Sequence, residues 1–460
     1  MFVLETPDDR GIEPHRAAIQ QALAAGWKLL RARQPALTPR RPIVKRPQKS
    51  LRPSPVRPLS PREAAGKQIA REGGRIVTVP AGKAGVTIVP SARELRIAEA
   101  RKRLPVPLTV DAAPSADLEP LYPLPVGADG SLVGQFRQFG LHRFFVLKLP
   151  VDHIELEAVL GDQKRARLFD LKALLRQHTQ LASVAVDLPV DGLAGSSGGT
   201  TRASTDQTAG WHLAAIGIDG AHPADITGHG VRIAHPDTGW TRHPELPLAR
   251  LDLDHQFNVF NFTLSAEEPL DDAWKTGQIG TFHAHHGTAT GSMIVSTDVT
   301  ATGVGDVLGV APGARLIPIR CASAVLLLSG VSLSIAILRA VVAGADVISM
   351  SLGGIGGKHL QAVLKLAVAR NIIPVAAAGN LFPLVVCPAL YAETIAVAAI
   401  ADTRQPMSSA NASFASASGC AVDIAAPGAS ILRAHWNDEA PWKALRSRRP
   451  ASVRSGSASP

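Results

Sequence analysis

One aspartate in this chain stands where catalytic carboxylates are often found. Asp237 follows a mostly apolar, strand-like run in VRIAHPDTGW (231–240), and Thr-Gly comes directly after it. Two chemistries use an aspartate in this setting. In the first, a pair of such aspartates shares a proton and activates water. In the second, a single aspartate orients a histidine that activates a serine.

A histidine-rich run supplies a candidate base. His283, His285 and His286 lie in FHAHHGTATGSMIVS (282–296). Gly-Thr and helical apolar spacing follow His286, so its ring can be held at a helix start and face a cleft. A plain surface histidine gives the same pattern. No metal site is predicted from the three histidines, because no acidic or cysteine ligand stands at supporting spacing.

An amide side chain is the third candidate. Asn380 ends the run IIPVAAAGN (372–380), which places it at the carboxyl end of a predicted strand, where α/β sheets build their sites. There the amide can donate to the oxyanion of an acyl-transfer intermediate. An ordinary Gly-Asn turn is the alternative.

The elements that must position these residues alternate from Trp211 onward. Short β-rich runs are GVRIAH, ARLIPIR, ADVISMS, NIIPVAAA and ETIAVAAI, and the runs between them have helical spacing. The alternation predicts an α/β unit built on a buried parallel sheet. Serine, glycine and charged residues interrupt the most apolar stretch (322–350), so we predict a buried helix and strand there instead of a membrane span.

A smaller region precedes that unit. HRFFVLKLP (142–150) and LASVAVDLPV (181–190) are predicted strands, and DLKALLRQHTQ (170–180) is a predicted helix. We therefore predict a small α+β region over 135–192. A flexible Gly/Ser/Thr-rich linker over 193–210 joins it to the α/β unit.

The N-terminal part is basic and rich in proline. Residues 31–75 carry thirteen Lys or Arg against two Glu, an excess larger than the net charge of +10 of the whole chain. Such a segment cannot bury enough apolar surface to offset its ordering entropy, so residues 1–134 are predicted to be largely disordered. A solvated linker is the first interpretation. Nucleic-acid or anionic-surface binding is the second, although the few aromatic residues give base stacking little support.

The cysteines and the N-terminal residues give little information on the cellular compartment of the protein. Cys321, Cys387 and Cys420 are odd in number and widely spaced, so neither a disulfide framework nor a metal-type pair is predicted. The first residues lack a basic start followed by an apolar core, so no secretory signal is expected. A cytoplasmic location is the default expectation.

Seven segments resemble one protein family and occur in its order. They are ITGHGVRIAHPDTGWTRHPEL, HHGTATG, GVAPGARLIPIR, ADVISMSLGG, IIPVAAAGN, ETIAVAAI and FASASGCAVDIAAPGASI. Together they resemble the subtilisin-like serine proteases (subtilases, peptidase S8) from Trp211 to about Ile431. The resemblance implies a three-layer α/β sandwich with a mostly parallel sheet. No second Asp-Thr-Gly occurs, so serine chemistry is favoured over a single-chain aspartic protease.

The resemblance implies a role for each candidate. Asp237 orients the imidazole of His286 and stabilises its protonated form. His286 is the general base and then the general acid, and Asn380 is the side-chain donor of the oxyanion hole. We expect Asp237 and His286 to lie within hydrogen-bonding reach.

The resemblance also implies a substrate site. Ser351, Leu352, Gly353 and Gly354 resemble the edge whose backbone pairs with an extended peptide. Protein or peptide substrates are therefore expected. No cofactor is evident in the residues themselves, and calcium is suggested by the resemblance alone.

The chain departs from the family after IAAPGASI (424–431). The family continues with Gly-Thr-Ser-x-Ala-x-Pro, which opens a buried helix with the nucleophilic serine, and no Gly-Thr-Ser occurs here. Ser457 is a weak echo of that motif. From Lys443 no acidic residue occurs, which suggests out-of-frame translation of a GC-rich gene, with an evolved truncation as the alternative. We predict an incomplete peptidase domain over 211–442, an aberrant tail over 443–460, exposed core surface and an inactive chain.

Two functions remain open. The first is a serine endopeptidase lineage, represented by a truncated chain without its nucleophile. The second is a non-catalytic pseudoprotease that binds proteins with the retained cleft and the basic N-terminal arm. The region over 135–192 resembles the propeptide of many subtilisin-like enzymes, which covers the cleft and assists folding. An unrelated small domain is the alternative.

Overall fold

The computed structural model of this chain describes residues 1–31, 75–77, 87–89, 116–149, 164–187, 211–218, 226–260, 269–270, 285–297, 308–322, 325–327, 330–380, 384–401, 403–408, 415–429, 431 and 433–434. The chain divides into two compact units. Met1–His15, Asp117–Lys148 and Gln180–Pro460 form the first, and Arg16–Ala116 with Leu149–Thr179 form the second. The predicted linker over 193–210 and the tail over 443–460 lie outside the described residues.

The helices and strands follow one another along both units. The strands are β1 (Phe2–Glu5), β2 (Arg75–Val77), β3 (Thr87–Val89), β4 (Asp117–Pro120), β5 (Phe144–Lys148), β6 (Ser183–Val186), β7 (Arg232–Asp237), β8 (Phe257–Asn258), β9 (Arg315–Arg320), β10 (Leu326–Leu327), β11 (Val347–Met350), β12 (Gly353–Gly354), β13 (Ile373–Ala377), β14 (Ile395–Ile400) and β15 (Ile424–Pro427). The helices are α1 (Arg16–Arg31), α2 (Gly130–Gln138), α3 (Lys164–His178), α4 (Trp211–Ala215), α5 (His286–Val295), α6 (Val331–Val342) and α7 (Lys358–Ala369).

The first unit is built on a seven-stranded parallel sheet. Its strand order is β15-β14-β13-β11-β7-β9-β8, and each neighbouring pair runs parallel. The β-rich runs of the sequence form β7, β9, β11, β13 and β14. The predicted α/β architecture with its mostly parallel sheet is therefore confirmed.

Helices cover both faces of this sheet, but unequally. On one face α6 and α7 pack together, and Ala234 and Ala376 belong to the same core as these helices. On the opposite face α5 lies over β7 and β9, where Val295 packs with Ile233 and Leu316. Alternate residues of β7 therefore face the two helical layers, as expected for a strand buried on both sides.

The face that carries α5 stays partly uncovered at β13, β14 and β15. Ile373 is 50% exposed, Ile395 is 41% exposed and Ile424 is 58% exposed. The strand register places these three side chains on the same face as Ile233. Because parallel sheets are normally buried on both faces, this apolar surface is a departure from the usual pattern.

The most apolar stretch of the sequence is a buried helix followed by a buried strand, as predicted. Val331–Val342 forms α6 with most of its side chains buried, and Val347–Met350 forms β11 inside the sheet. Among the residues that the structure describes, no helix has the length and apolar character needed to cross a membrane.

A four-stranded antiparallel sheet also belongs to the first unit. Its order is β4-β5-β1-β6, and β5 and β6 are the two strands predicted in the region before the linker. Phe2 of β1 pairs with Leu147 on one side and with Val186 on the other. The N-terminal strand is therefore internal to this sheet.

Helices and strands are present within residues 1–134, the range that was predicted to be largely disordered. β1, α1, β2, β3 and β4 lie within that range, and α2 begins in it at Gly130. Most of residues 32–115, to which the prediction also applies, lie outside the described part of the chain. The four residues of β1 are buried, and β5 and β6 pair with the backbone on its two sides. A four-residue apolar run gives no such signal by itself, since its partners come much later in the sequence.

The small sheet shares a core with α7. Tyr122, just after β4, is buried and donates its hydroxyl to the carbonyl oxygen of His359 at 2.6 Å. The rings of Phe144 and His359 meet edge to face at 6.3 Å. Nearer the surface, Lys358 lies 3.3 Å from Glu5. These contacts fix the sheet against one helical layer of the α/β sandwich.

The second unit contains two long helices and a strand pair. The helix predicted over 170–180 is α3, which begins earlier and packs against α1. Trp27 of α1 and Leu175 of α3 are buried. Gly26 permits the close approach, because a Cβ there would overlap the side chain of Leu171. β2 and β3 form an antiparallel pair.

His359 should make the stability of this fold depend on pH. Its side chain is buried, and its Nε2 has no hydrogen-bond partner in the described part of the chain. Burial lowers the pKa of His359 to about 4, whereas an unfolded histidine titrates near 6.5. Between these values the unfolded state binds more protons than the folded state. The contribution of His359 to the free energy of unfolding is therefore fully present above about pH 6.5 and is lost as the pH falls toward 4.

Replacing this histidine should flatten that dependence. We expect His359→Gln to remove up to about 1.4 kcal/mol per pH unit from the slope of unfolding free energy in this range, which is the contribution of one proton. Urea unfolding at a series of pH values measures the slope. His229→Gln, at an exposed position, is the matched control and should keep the parent slope. Equal slopes in all three proteins would contradict the assignment.

Candidate active site

Asp237 lies at the carboxyl end of an interior strand. β7 pairs with β9 along its whole length and with β11 at Ile233 and Ala234. α/β sheets place their sites at this end of their strands. The Asp237 side chain is fully buried. A buried charge requires partners, because it has lost its hydration.

His286 is the first residue of α5 and is the main partner of Asp237. Its Nδ1 lies 2.9 Å from Oδ1 and 3.0 Å from Oδ2 of the carboxylate. The distance meets the expectation from the sequence, although the two residues are 49 positions apart. The His286 side chain is 18% exposed, so the imidazole connects the buried carboxylate with the surface of the site.

Further hydrogen bonds surround Asp237. The Thr238 amide donates to Oδ1 at 2.6 Å, and the Thr290 hydroxyl oxygen lies 3.3 Å from Oδ2. Burial alone would raise the pKa of Asp237, but the charge of His286 and its hydrogen bond outweigh burial and hold that pKa below its usual value. Asp237 is therefore ionised at neutral pH and accepts a hydrogen bond from His286 Nδ1.

The loop after β7 and the start of α5 are bonded to each other. The Gly287 amide donates to Thr238 Oγ1 at 3.0 Å. His285 precedes the helix with a φ of 63°, and its Nδ1 lies 3.1 Å from Thr241 Oγ1. His283 lies outside the described residues. Within those residues, no three His, Cys, Asp or Glu side chains gather as a metal site requires.

Asn380 lies three residues beyond the end of β13, and it is exposed. Gly379 before it has a φ of 107°, a conformation that glycine adopts easily and other residues rarely do. β13 and β7 belong to one parallel sheet. The structure therefore places Asn380 at the same carboxyl edge of the sheet as Asp237.

The predicted substrate-binding edge is already paired within the protein. Gly353 and Gly354 form β12, which runs parallel to β10. The Gly353 amide donates to the Val325 carbonyl at 2.9 Å, and the Ile355 amide donates to the Leu327 carbonyl at 2.8 Å. A peptide cannot add to this side of β12 while β10 is in place.

The other side of this strand is paired as well. The Gly354 amide donates to the Cys387 carbonyl at 2.7 Å, and the Cys387 amide donates back to the Gly354 carbonyl at 3.1 Å. Leu352 is buried and Ser351 is half-buried. Strand addition at Ser351–Gly354 therefore requires a rearrangement of the chain.

Two residues of the site were not predicted from the sequence. His235 Nε2 lies 2.9 Å from Thr290 Oγ1 and 3.8 Å from Asp237 Oδ2. The two-residue period of a strand puts His235 on the same side of β7 as Asp237. The four-residue spacing from His286 to Thr290 puts those two on one side of α5. Both signals were available in the sequence.

The chain returns to α5 after β15. The Ala434 amide donates to Ser292 Oγ at 2.9 Å, and Ser292 lies in the middle of that helix. Arg433 is close enough to Asp237 for their charges to interact. Ser457, the weak candidate for the nucleophile, lies outside the described residues.

Gly287 should be essential for the contact between His286 and Asp237. A Cβ at Gly287 would overlap the carbonyl oxygen of Gly239 and approach the side chain of Asp237. We expect Gly287→Ala to move the start of α5 away from the loop after β7. The free energy of unfolding should fall by about 3 kcal/mol. Urea unfolding measures the loss.

A second glycine in a helix provides the control. A Cβ at Gly134 in α2 would meet nothing within 4 Å, so Gly134→Ala should stabilise the protein by up to about 1 kcal/mol through helix propensity. If both variants were stabilised, the close approach at Gly287 would not matter.

Comparison with known proteins identifies the family of this site. The model of the subtilase family, Peptidase_S8, matches residues 228–455. Among solved structures, MycP1 from the ESX-1 type VII secretion system is 21% identical, with 48% of this chain and 67% of that chain covered and a TM-score of 0.35. The prenylagaramide maturation protease PagA is 26% identical, with 46% and 67% covered and a TM-score of 0.35. No curated protein matches the chain. Residues 228–455, which include Asp237, His286 and Asn380, belong to the subtilase family.

Proposed function

We propose that this protein is a serine-type endopeptidase by lineage, in which Asp237 and His286 are two members of a Ser-His-Asp triad. The observation that carries the proposal is the hydrogen bond between His286 Nδ1 and the buried carboxylate of Asp237. In such a triad the aspartate holds one imidazole nitrogen so that the other faces the nucleophile. The partial exposure of the His286 ring supports this orientation.

Each residue then has a defined step. His286 Nε2 takes the proton of the serine hydroxyl as its oxygen attacks the peptide carbonyl, and later gives that proton to the leaving amine. Asp237 stabilises the imidazolium between these steps. The Asn380 amide donates to the oxyanion of the tetrahedral intermediate. The exposed position of Asn380 at the carboxyl edge of the sheet supports that role.

The nucleophile of the proposed triad is not found in the motif that would carry it. No Gly-Thr-Ser occurs in the sequence, and without an activated serine no acyl-enzyme can form. Loss of the serine from such a triad lowers turnover by roughly 10⁶. We therefore propose that the chain has no peptidase activity by itself, and that a supplied serine segment would restore it.

The proposed substrates are proteins or peptides bound as extended strands. Such a strand would use the backbone groups of Gly353 and Gly354. Both sides of β12 are paired, so the substrate would have to take the place of β10. β10 is only two residues long, which makes its displacement feasible.

A serine-directed fluorophosphonate probe should not label this chain. The probe requires a hydroxyl that His286 activates, and no serine stands in the required motif. In-gel fluorescence after incubation measures labelling, with an active serine protease as the positive control. Strong labelling that disappears on Ser457→Ala would show that the tail supplies the nucleophile.

Joining a Gly-Thr-Ser-x-Ala helix after Ile431 should restore cleavage of an unstructured protein substrate. Asp237, His286 and Asn380 would then supply orientation, proton transfer and oxyanion stabilisation. In the restored chain, Asn380→Leu should lower kcat by roughly 10² to 10³ with little change in KM, since the amide acts on the transition state. Steady-state kinetics measures both constants.

The controls separate chemistry from folding. His286→Ala should abolish cleavage by the restored chain, whereas His229→Ala should leave it unchanged. If the restored chain gives a cooperative thermal transition and still cleaves nothing, the pseudoprotease interpretation is the better one.

A further inference from the structure

His235 is a buried histidine that the proposed mechanism does not use. It stands two residues before Asp237 on β7, and its side chain is 2% exposed. Thr290 and Gly291 of α5 lie on one side of the ring, and Ser349 of β11 lies on the other. A titratable ring in this position is costly unless its polar atoms have partners.

The partners of His235 determine the tautomer of its neutral form. Nδ1 lies 3.2 Å from the carbonyl oxygen of Ser349, and a carbonyl oxygen can only accept a hydrogen bond. Nδ1 therefore carries the proton. Nε2 is then an acceptor, and the Thr290 hydroxyl at 2.9 Å is the donor that faces it.

Thr290 has a single hydroxyl proton and several acceptors. Its Oγ1 lies 2.9 Å from the carbonyl oxygen of His286 and 3.3 Å from Asp237 Oδ2, in addition to His235 Nε2. While Thr290 donates to neutral His235, it cannot donate to Asp237. When His235 gains a proton, Nε2 becomes a donor. The hydroxyl proton then turns to one of the remaining acceptors, which are Asp237 Oδ2 and the carbonyl oxygens of His286 and Gly287.

The attraction between protonated His235 and the Asp237 carboxylate also weakens the contact between Asp237 and His286. His235 Nε2 lies 3.8 Å from Asp237 Oδ2, so protonated His235 competes with His286 for one carboxylate. Burial lowers the pKa of His235 below its usual value, and the charge of Asp237 limits that fall. His235 is therefore neutral at neutral pH and gains its proton on the acid side.

Other groups near the carboxylate do not replace this effect. β11 presents the uncharged Ser349 carbonyl to His235. Arg433 interacts with Asp237 but keeps its charge throughout this pH range. Cys321, at the end of β9, has a thiol pKa that burial and the charge of Asp237 raise, so the thiol stays neutral. Of His235, Arg433 and Cys321, only His235 changes its charge as the medium is acidified.

We propose that His235 is a positioning residue that switches the Asp237–His286 pair on the acid side. Neutral His235 holds the Thr290 hydroxyl and leaves the carboxylate to His286. Protonated His235 releases that hydroxyl and draws the carboxylate of Asp237 toward itself. The consequence for catalysis rests on the proposed function, because the switch would set the acid limit of the peptidase. The exchange of hydrogen bonds itself needs no nucleophile.

NMR spectroscopy of the full chain with isotope-labelled histidine tests the switch without any activity. The proton between His286 Nδ1 and Asp237 gives a downfield signal, and the ring nitrogens of His235 report its tautomer and charge. We expect the Nδ1–H tautomer at neutral pH. We also expect the His286 signal to shift with the same midpoint as the protonation of His235.

Two variants test the two parts of this switch, which are the titrating ring of His235 and the hydroxyl of Thr290. His235→Gln keeps a buried polar side chain that does not titrate, so the step in the His286 signal should be lost. Thr290→Val removes the hydroxyl and keeps the shape, so the step should shrink, and Thr290→Ser should bring it back. His229→Gln, at an exposed site, should retain the full step.

Three results would overturn the proposal. One is an Nε2–H tautomer at neutral pH, and another is protonation of His235 that leaves the His286 signal unshifted. The third is a full step in Thr290→Val, which decides the question even if His235→Gln does not fold. If the serine-restored chain fails to cleave but the His286 signal follows the protonation of His235, the peptidase proposal fails and the switch stands. Cleavage without that coupling leaves the peptidase and refutes the switch.

Discussion

The geometry of the candidate site depends on one constraint, which is that the buried negative charge of Asp237 must have hydrogen-bond partners. Asp237 has no exposed surface, and an unpaired carboxylate in such a place costs several kcal/mol. The His286 ring and the Thr238 amide satisfy its oxygens. These contacts join β7, the loop after it and the first turn of α5. Gly287 completes the arrangement, since only a residue without a side chain allows the helix to start so near the loop.

The two faces of the seven-stranded sheet are covered to different extents. One face has α6, α7 and the small antiparallel sheet, which share a continuous core. The other face has α5 over two strands, while Ile373, Ile395 and Ile424 remain exposed. Each Å² of apolar surface left in water forgoes about 25 cal/mol. The Ala434 amide donates to Ser292 of α5, the helix that lies over this face, so a helix joined there would begin beside α5.

The backbone groups of β12 also need hydrogen-bond partners. Strand amides and carbonyls must be hydrogen-bonded when they are shielded from water, and Gly353 and Gly354 have no side chains to keep a neighbouring strand away. β10 and Cys387 take the two sides. The strand for which we propose substrate binding is thus paired on both sides within its own chain, and each pairing is short.

The sequence by itself determined the parallel α/β sheet, the helices between its strands and the family, because apolar periodicity and motif order are local properties of the chain. It also paired Asp237 with His286, whereas the roles of Asn380 and of Ser351–Gly354 stay predictions. Only the tertiary structure placed β1 between β5 and β6, closed the edge of β12 and brought His235 to Thr290. The apolar periodicity of a segment predicts which of its side chains are buried. Which distant segment buries them depends on the packing of the whole fold, since hydrogen-bond partners are chosen by distance in space and not by position along the chain.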